Sequence, residues 1–309
     1  MGARIPTLLN RADGAVLGVN PKRLNEIPYW LMTNRNATNP PTQNALVIAA
    51  SQSSPPTVMS ISGEGPCAVY AFTAQRTGVA RVLLQIQDGP KIRGLMNRAC
   101  HIDTIFGSYT PAAFGNRAYY LPEALFMDEE RSVIATVTDI SAVANTVRLN
   151  MEAQRLLSRQ YDHQLANIRA RMDKRQYLTL PHFYTFDNGS STLAAAIGAT
   201  NTETITISGE FHFELFKLTA VAQQGLGSFS WNIQDAVTGE TLVDMPQGST
   251  GNIGSGLSIG NASFPFTFHE PRFFSIRTKL IVTLVNRVAA ANQIFLTLGG
   301  RDLADRLWS

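Results

Sequence analysis

The feature that most constrains this chain is that it is written twice. Gln85-Ile86-Gln87-Asp88 returns as Asn232-Ile233-Gln234-Asp235, an offset of 147 residues. Leu95 matches Leu242 at the same offset, as do Glu123 and Glu270, Phe126 and Phe273, Ile134 and Ile281, and Asn145 and Asn292. These anchors call for no gap between them. Upstream the offset is 146: Ile61-Ser62-Gly63-Glu64 matches Ile207-Ser208-Gly209-Glu210, and Thr73-Ala74 matches Thr219-Ala220. One residue added between Ala220 and Asn232 absorbs the difference, as a turn or bulge insertion would. Pro28-Tyr29 against Pro181-His182 is the outermost match considered. Shared composition does not hold a register over such separated anchors, so the period is read as architecture.

Within each copy the apolar residues alternate. Val82, Leu84 and Ile86 share one face, as do Val133, Ala135 and Val137, and Val147, Leu149 and Met151. The second copy repeats the last two sets with Leu280, Val282 and Leu284, and with Ile294, Leu296 and Leu298. This period of two marks half-buried strands. About eight short strands with turn signals between them predict an all-β sandwich in each copy. A jelly roll closes such a unit as two sheets, and an immunoglobulin-type sandwich is its rival. Leu157, Tyr161, Leu165, Ile168 and Met172, spaced by 4, 4, 3 and 4, predict an amphipathic helix over 152–176. It could pack on a sandwich or on the same helix of another subunit.

The organisation expected is an N-terminal arm (1–27), a first β-sandwich repeat (28–151), a helical linker (152–180) and a second β-sandwich repeat (181–309). A length of 309 residues suits two domains. Charged residues make up only 16%, below the usual ~25%, a surface suited to cover by neighbours. The net charge of +3 gives no basic stripe for nucleic acid. Arg169, Arg171, Lys174 and Arg175 enclose Asp173 and read as a solvated helix face. No apolar run reaches the length of a membrane span. Cys67 and Cys100 lie in the first copy only, opposite Phe213 and Gln247 by register, and read as buried thiols.

No catalytic, cofactor-binding or metal-binding residues are predicted. His101, His163, His182, His212 and His269 form no zinc spacing. His212 and His269 sit in apolar stretches and read as core or interface residues. Gly248, Gly251, Gly254, Gly256 and Gly260 lack the Lys-Ser/Thr of a phosphate loop and read as a mobile or partner-contacting loop. Asp88, Asp235, Asn145 and Asn292 read as turn caps, with an ion or sugar as the other possibility. Glu123 and Glu270, each beside a proline, read the same way.

Residues 95–107, Leu-Met-Asn-Arg-Ala-Cys-His-Ile-Asp-Thr-Ile-Phe-Gly, and residues 139–145 before the last strand resemble minor virion structural proteins of tailed bacteriophages. Tandem sandwiches, an irregular arm and few charges add to the resemblance. It implies a non-enzymatic head-decoration, collar or tail-associated subunit docking on neighbouring capsid, neck or tail subunits. Its partners would be copies of itself and other virion proteins, with no nucleic acid and no membrane. It would be made in the host cytoplasm and reside in the virion, without a cofactor. The alternative is a receptor- or carbohydrate-binding module for a host surface glycan, with Tyr109, Tyr119 and Tyr120 as stacking candidates. An enzyme would need a nucleophile and base at recognisable spacing, which the sequence does not offer.

Overall fold

A computed structural model describes residues 24–32, 46–60, 67–77, 82–88, 93–108, 118–127, 132–158, 179–186, 192–194, 196–222, 228–242, 253–254, 259, 262 and 264–304. Unit one comprises β1 (Leu24–Met32), β2 (Leu46–Ile48), β3 (Thr57–Ser60), β4 (Cys67–Thr77), β5 (Val82–Asp88), β6 (Arg93–Gly94), β7 (Cys100–His101), α1 (Ile102–Ile105), β8 (Gly107–Ser108), β9 (Tyr119–Met127), β10 (Ser132–Asp139) and β11 (Asn145–Ser158). Unit two comprises β12 (Thr179–Phe186), β13 (Thr192–Leu193), β14 (Thr200–Thr206), β15 (Phe211–Ala222), β16 (Phe229–Asp235), β17 (Ile253–Gly254), β18 (Phe266–Phe274), β19 (Lys279–Asn286) and β20 (Asn292–Ala304).

Each unit is a sandwich of two sheets. In unit one, β1-β11-β4-β9 faces β3-β10-β5-β6; in unit two, β12-β20-β15-β18 faces β14-β19-β16-β17. With β2, β8 and β13 set aside, and with β6 and β7, which both pair with β5, counted as one strand, each unit has eight strands among the described residues. Numbered within its own unit, each then runs 1-8-3-6 in one sheet and 2-7-4-5 in the other. That is the interleaved order of a jelly roll, and an immunoglobulin-type sandwich does not have it.

The two units correspond in register. β5 and β16, β9 and β18, and β10 and β19 begin and end at positions 147 apart. Register shifts fall between Val69 and Ala71 on β4 and between Leu215 and Lys217 on β15, so Tyr70 and Phe216 occupy equivalent bulges. Pro28 pairs with Gln154 as Pro181 pairs with Arg301, which supports the outermost match.

Two expectations change. Cys100 pairs with Leu84, and Ile253 pairs with Trp231, so Cys100 corresponds to Ile253 and not to Gln247. More residues separate Leu242 from Ile253 than Leu95 from Cys100, and fewer by as much separate Ile253 from Phe266 than Cys100 from Tyr119. A uniform offset hides two changes that cancel, because the flanking strands must keep their pairing. The last strand of unit one was also expected to end at Met151. It runs to Ser158, because β1 pairs along its whole length, from Leu24 on Ser158 to Met32 on Asn150. The expected arm therefore ends before Leu24, and the expected linker loses residues at both ends, since β12 begins at Thr179. The rest of the expected helix, with its basic stretch, lies outside the described residues.

The alternating residues line the cores. Val82, Leu84, Ile86, Val133, Ala135, Val137, Val147, Leu149 and Met151 are buried in unit one. Leu280, Val282, Leu284, Ile294, Leu296 and Leu298 are buried in unit two. Each larger side chain so buried contributes about 1.5–3 kcal/mol. Neither Cys67 nor Cys100 is in a disulfide, and both are buried.

Candidate functional site: the seam between the sandwiches

The first core includes residues of the second unit: Leu180, Phe183 and Ala262. The two sandwiches therefore share a seam, and a row of buried polar side chains gathers there. On β20, Leu296 and Leu298 point into the core of unit two. Phe295, Thr297, Gly299 and Arg301 consequently point outward, since successive side chains alternate. Unit one covers this outward row.

At one end the His101 ring lies 4.7 Å from Phe295. His101 also caps α1, its Nδ1 accepting from the Asp103 N–H at 3.2 Å. That cap sets the position of Thr104, whose Oγ1 accepts from Thr297 Oγ1 at 2.8 Å. The Thr104 carbonyl accepts from Thr219 Oγ1 at 2.7 Å. Thr185 completes this buried cluster, 3.2 Å from Thr297. Hydroxyls so deeply buried are tolerable because they satisfy one another.

In the middle of the row Tyr119 stands over Gly299. A Cβ at Gly299 would lie 2.2 Å from the tyrosine hydroxyl, so only glycine fits. Burial raises the pKa of this phenol above its ordinary value. The Lys217 ammonium lies 4.8 Å from the centre of the Tyr119 ring and donates to the Tyr120 carbonyl. Burial lowers its pKa to about 8.

At the far end Arg301 bridges two carboxylates. Its Nε donates to Glu214 at 2.7 Å and its Nη1 to Glu123 at 2.8 Å. Burial opposes its charge, but the hydrogen bonds and the attraction of both carboxylates outweigh that, and its pKa is raised. The backbone joins as well. Phe183 N–H donates to Leu95 O at 2.9 Å, and Asn97 N–H donates to Phe183 O at 3.1 Å, so a parallel bridge crosses the seam. Arg98 pairs with Glu203 at 2.6 Å.

Several sequence-based expectations meet this geometry. Glu123 is an ion-pair partner across the seam and not a turn cap, whereas its twin Glu270 is exposed. Tyr119 is sealed in the seam, so it cannot stack on a sugar. Tyr120 is 45% exposed, and Tyr109 lies outside the described residues. Asp235 does cap its turn, accepting from Val237 N–H at 2.7 Å. Asn145 closes the β10–β11 loop by donating to Asp139 at 2.6 Å, and Asn292 donates to the Ser228 carbonyl at 3.1 Å. His212 stacks on Phe273 at 5.1 Å, while His269 is exposed on β18 and not in a core. Of the loop glycines, Gly254 is in β17 and the others lie outside the described residues.

Sequence reasoning missed Thr104, Lys217, Gly299 and Arg301. Gly299-Gly300 inside a strand was the available signal, since a strand glycine marks close approach of another group. His182 and Asp302, buried and 3.1 Å apart, resemble the orienting half of a catalytic pair. Nε2 of His182 has no hydrogen-bond partner among the described residues, so none of them is a nucleophile poised on it. No group of three or more His, Cys, Asp or Glu able to hold a metal occurs among the described residues.

No family model matches the chain, and no curated protein matches it. Among solved structures it is similar to the major capsid protein P2 from Bacteriophage PM2, at 10% identity and a TM-score of 0.44, over 92% of this chain and 98% of that one. It is also similar to the triple jelly roll fold of an archaeal virus, at 10% identity and a TM-score of 0.25, over 84% of this chain and 59% of that one. At these TM-scores the likeness carries no argument of its own. The jelly-roll assignment rests on the strand order common to both units.

Proposed function

We propose that the chain is a non-enzymatic structural subunit of a virion, built to associate with copies of itself and with neighbouring particle proteins. In its finer form the reading is a bacteriophage particle, with the chain docked on capsid, neck or tail neighbours. The observation that carries it is the seam. Its ionisable and hydroxyl groups bind one sandwich to the other, Arg301 to Glu123 and Thr297 to Thr104. Interactions of this kind hold modules in one fixed relation, which suits a building block. The glycan-binding alternative loses Tyr119 to the seam and keeps Tyr120, which is 45% exposed, as its candidate among the described residues.

The test is to locate the chain in purified particles. Co-sedimentation with them, and antibody labelling at regular sites by electron microscopy, is the expected result. A chain that is expressed during infection yet absent from washed particles overturns the proposal.

A further inference from the structure

An edge strand leaves a row of backbone N–H and C=O groups open to pairing, and folded proteins block such rows. Among the described residues the edge strands of 7 residues or more are β1, β9, β12, β14 and β18. All but one of them carry a proline, at Pro28, Pro122, Pro181 and Pro271. Proline has no N–H to offer, so it interrupts pairing along an edge. The exception is β14, Thr-Asn-Thr-Glu-Thr-Ile-Thr. It has no bulge either, since its register on β19 runs unbroken from Thr200 to Thr206.

The open groups of this edge belong to threonines. Ile207 N–H donates to Thr278 O and Asn286 N–H donates to Ala199 O, both at 2.8 Å. Odd-numbered residues of β14 therefore turn their backbone toward β19, and Thr200, Thr202, Thr204 and Thr206 turn theirs away from it. No described residue bonds the outward N–H and C=O groups of these four threonines. The same threonines are exposed, on the face opposite the buried Ile205. Glu203, the one charge of the strand, lies on the Ile205 side and is held by Arg98 at 2.6 Å.

The space beside the edge limits what can dock there. β12 lies over β14 in the facing sheet, tied to its end where Ser208 N–H donates to the Tyr184 hydroxyl at 3.0 Å. The edge of β12 is already taken by unit one, through the bonds of Phe183 to Leu95 and Asn97. A sandwich added beside β14 would bring its own second sheet, about 10 Å from the first, into the place that unit one fills. A single strand brings no second layer and meets no such obstacle. Its composition follows from the edge: exposed threonines pair best with hydroxyl or β-branched residues.

We propose that the edge of β14 takes an extended segment of a neighbouring particle protein as an added antiparallel strand, with uncharged hydroxyl or β-branched side chains set against its threonines. In strand addition the backbone bonds supply affinity and the alternate side chains supply selectivity. The inference rests on the reading of the chain as a particle subunit and says how one neighbour is held.

The probe is a fluorescent peptide copying residues 199–207, which sets threonine against threonine when it pairs antiparallel with β14. Its anisotropy with the full chain is expected to rise to saturation. Thr202→Pro removes an outward N–H and leaves the bonds to β19 in place. It should keep the circular dichroism spectrum and weaken binding about tenfold or more, whereas Thr202→Val should bind like the parent. N-methylation of the peptide's threonine amides should abolish binding, and N-methylation of the amides between them should not. If the proline variant misfolds, hydrogen exchange of the parent chain replaces it, and the peptide should slow exchange at the threonine amides of β14. In purified particles, Thr204→Cys carrying a benzophenone should cross-link to one extended segment of a neighbouring protein. A peptide that does not bind, binding indifferent to the proline or to the side methylated, exchange unchanged by the peptide, or a cross-link to a sandwich face or to nothing overturns the inference. A chain present in particles that fails these tests leaves the virion reading standing. A chain that binds the peptide yet is absent from particles loses that reading and keeps the strand-accepting edge.

Discussion

Single residues decide how the two sandwiches meet, and identical residues need not share a fate. Glu123 and Glu270 occupy the same register position, yet one binds Arg301 and the other faces water. The difference lies in what the other unit presents, which no window of local sequence contains. Gly299 is the sharpest case. Gly299→Ala forces its new methyl against the Tyr119 hydroxyl and should cost about 1–3 kcal/mol, the usual penalty of overpacking. Adding Tyr119→Phe removes the offending oxygen, so the double variant should regain most of that loss. Urea unfolding of the four proteins measures it, and equal losses with and without the hydroxyl would refute the geometry. Lys217 makes a second residue-scale prediction. Burial holds it at about 8, below its ordinary value of 10.5. Between those values the unfolded chain holds more protons than the folded one, so this lysine makes stability rise with pH. Below the window both states are charged and the burial penalty is fully present; above it both are neutral and the penalty is gone. Lys217→Met should flatten the rise of the urea midpoint across that window.

At the scale of elements, much of the fold was legible. Alternation in Ser132–Asp139 and Lys279–Asn286 marked buried strands because a sheet exposes only one of its faces to the core. The constant offset between the units was legible because paired strands fix one another's register, and a slip would turn every side chain to the wrong face. What escaped notice depended on partners distant in sequence. The end of β11 is set by pairing with β1, and the apolar spacing that begins at Leu157 looked helical without that partner. The matched loop changes around Cys100 and Ile253 escaped because an insertion and a deletion cancel in the overall offset. The seam escaped for a related reason. Thr104 and Thr297 are ordinary helix and strand residues until the fold brings them within 2.8 Å.

At the scale of the molecule, the question is whether two jelly rolls joined in this way behave as one body. Leu180 and Phe183 belong to the sheet of unit two but are buried in the core of unit one. Opening the seam would expose that apolar surface and leave Thr104, Thr185, Thr219 and Thr297 to find water. Both penalties disfavour a state with one unit folded and the other not, so the parent chain should unfold in a single transition. Arg301→Met tests the coupling directly. It leaves Glu123 and Glu214 facing each other without the cation between them, at a cost of up to about 3–5 kcal/mol, as when a buried ion pair loses one partner. Because that loss falls on the seam and on neither core, it should weaken cooperation between units more than the units themselves. Hydrogen exchange followed by mass spectrometry, on peptides from β10 and β19 across a urea series, reads each unit separately. The two midpoints should coincide in the parent and separate in the variant. Midpoints already separate in the parent would mean that the two sandwiches stand independently and that the seam does not hold them as one body.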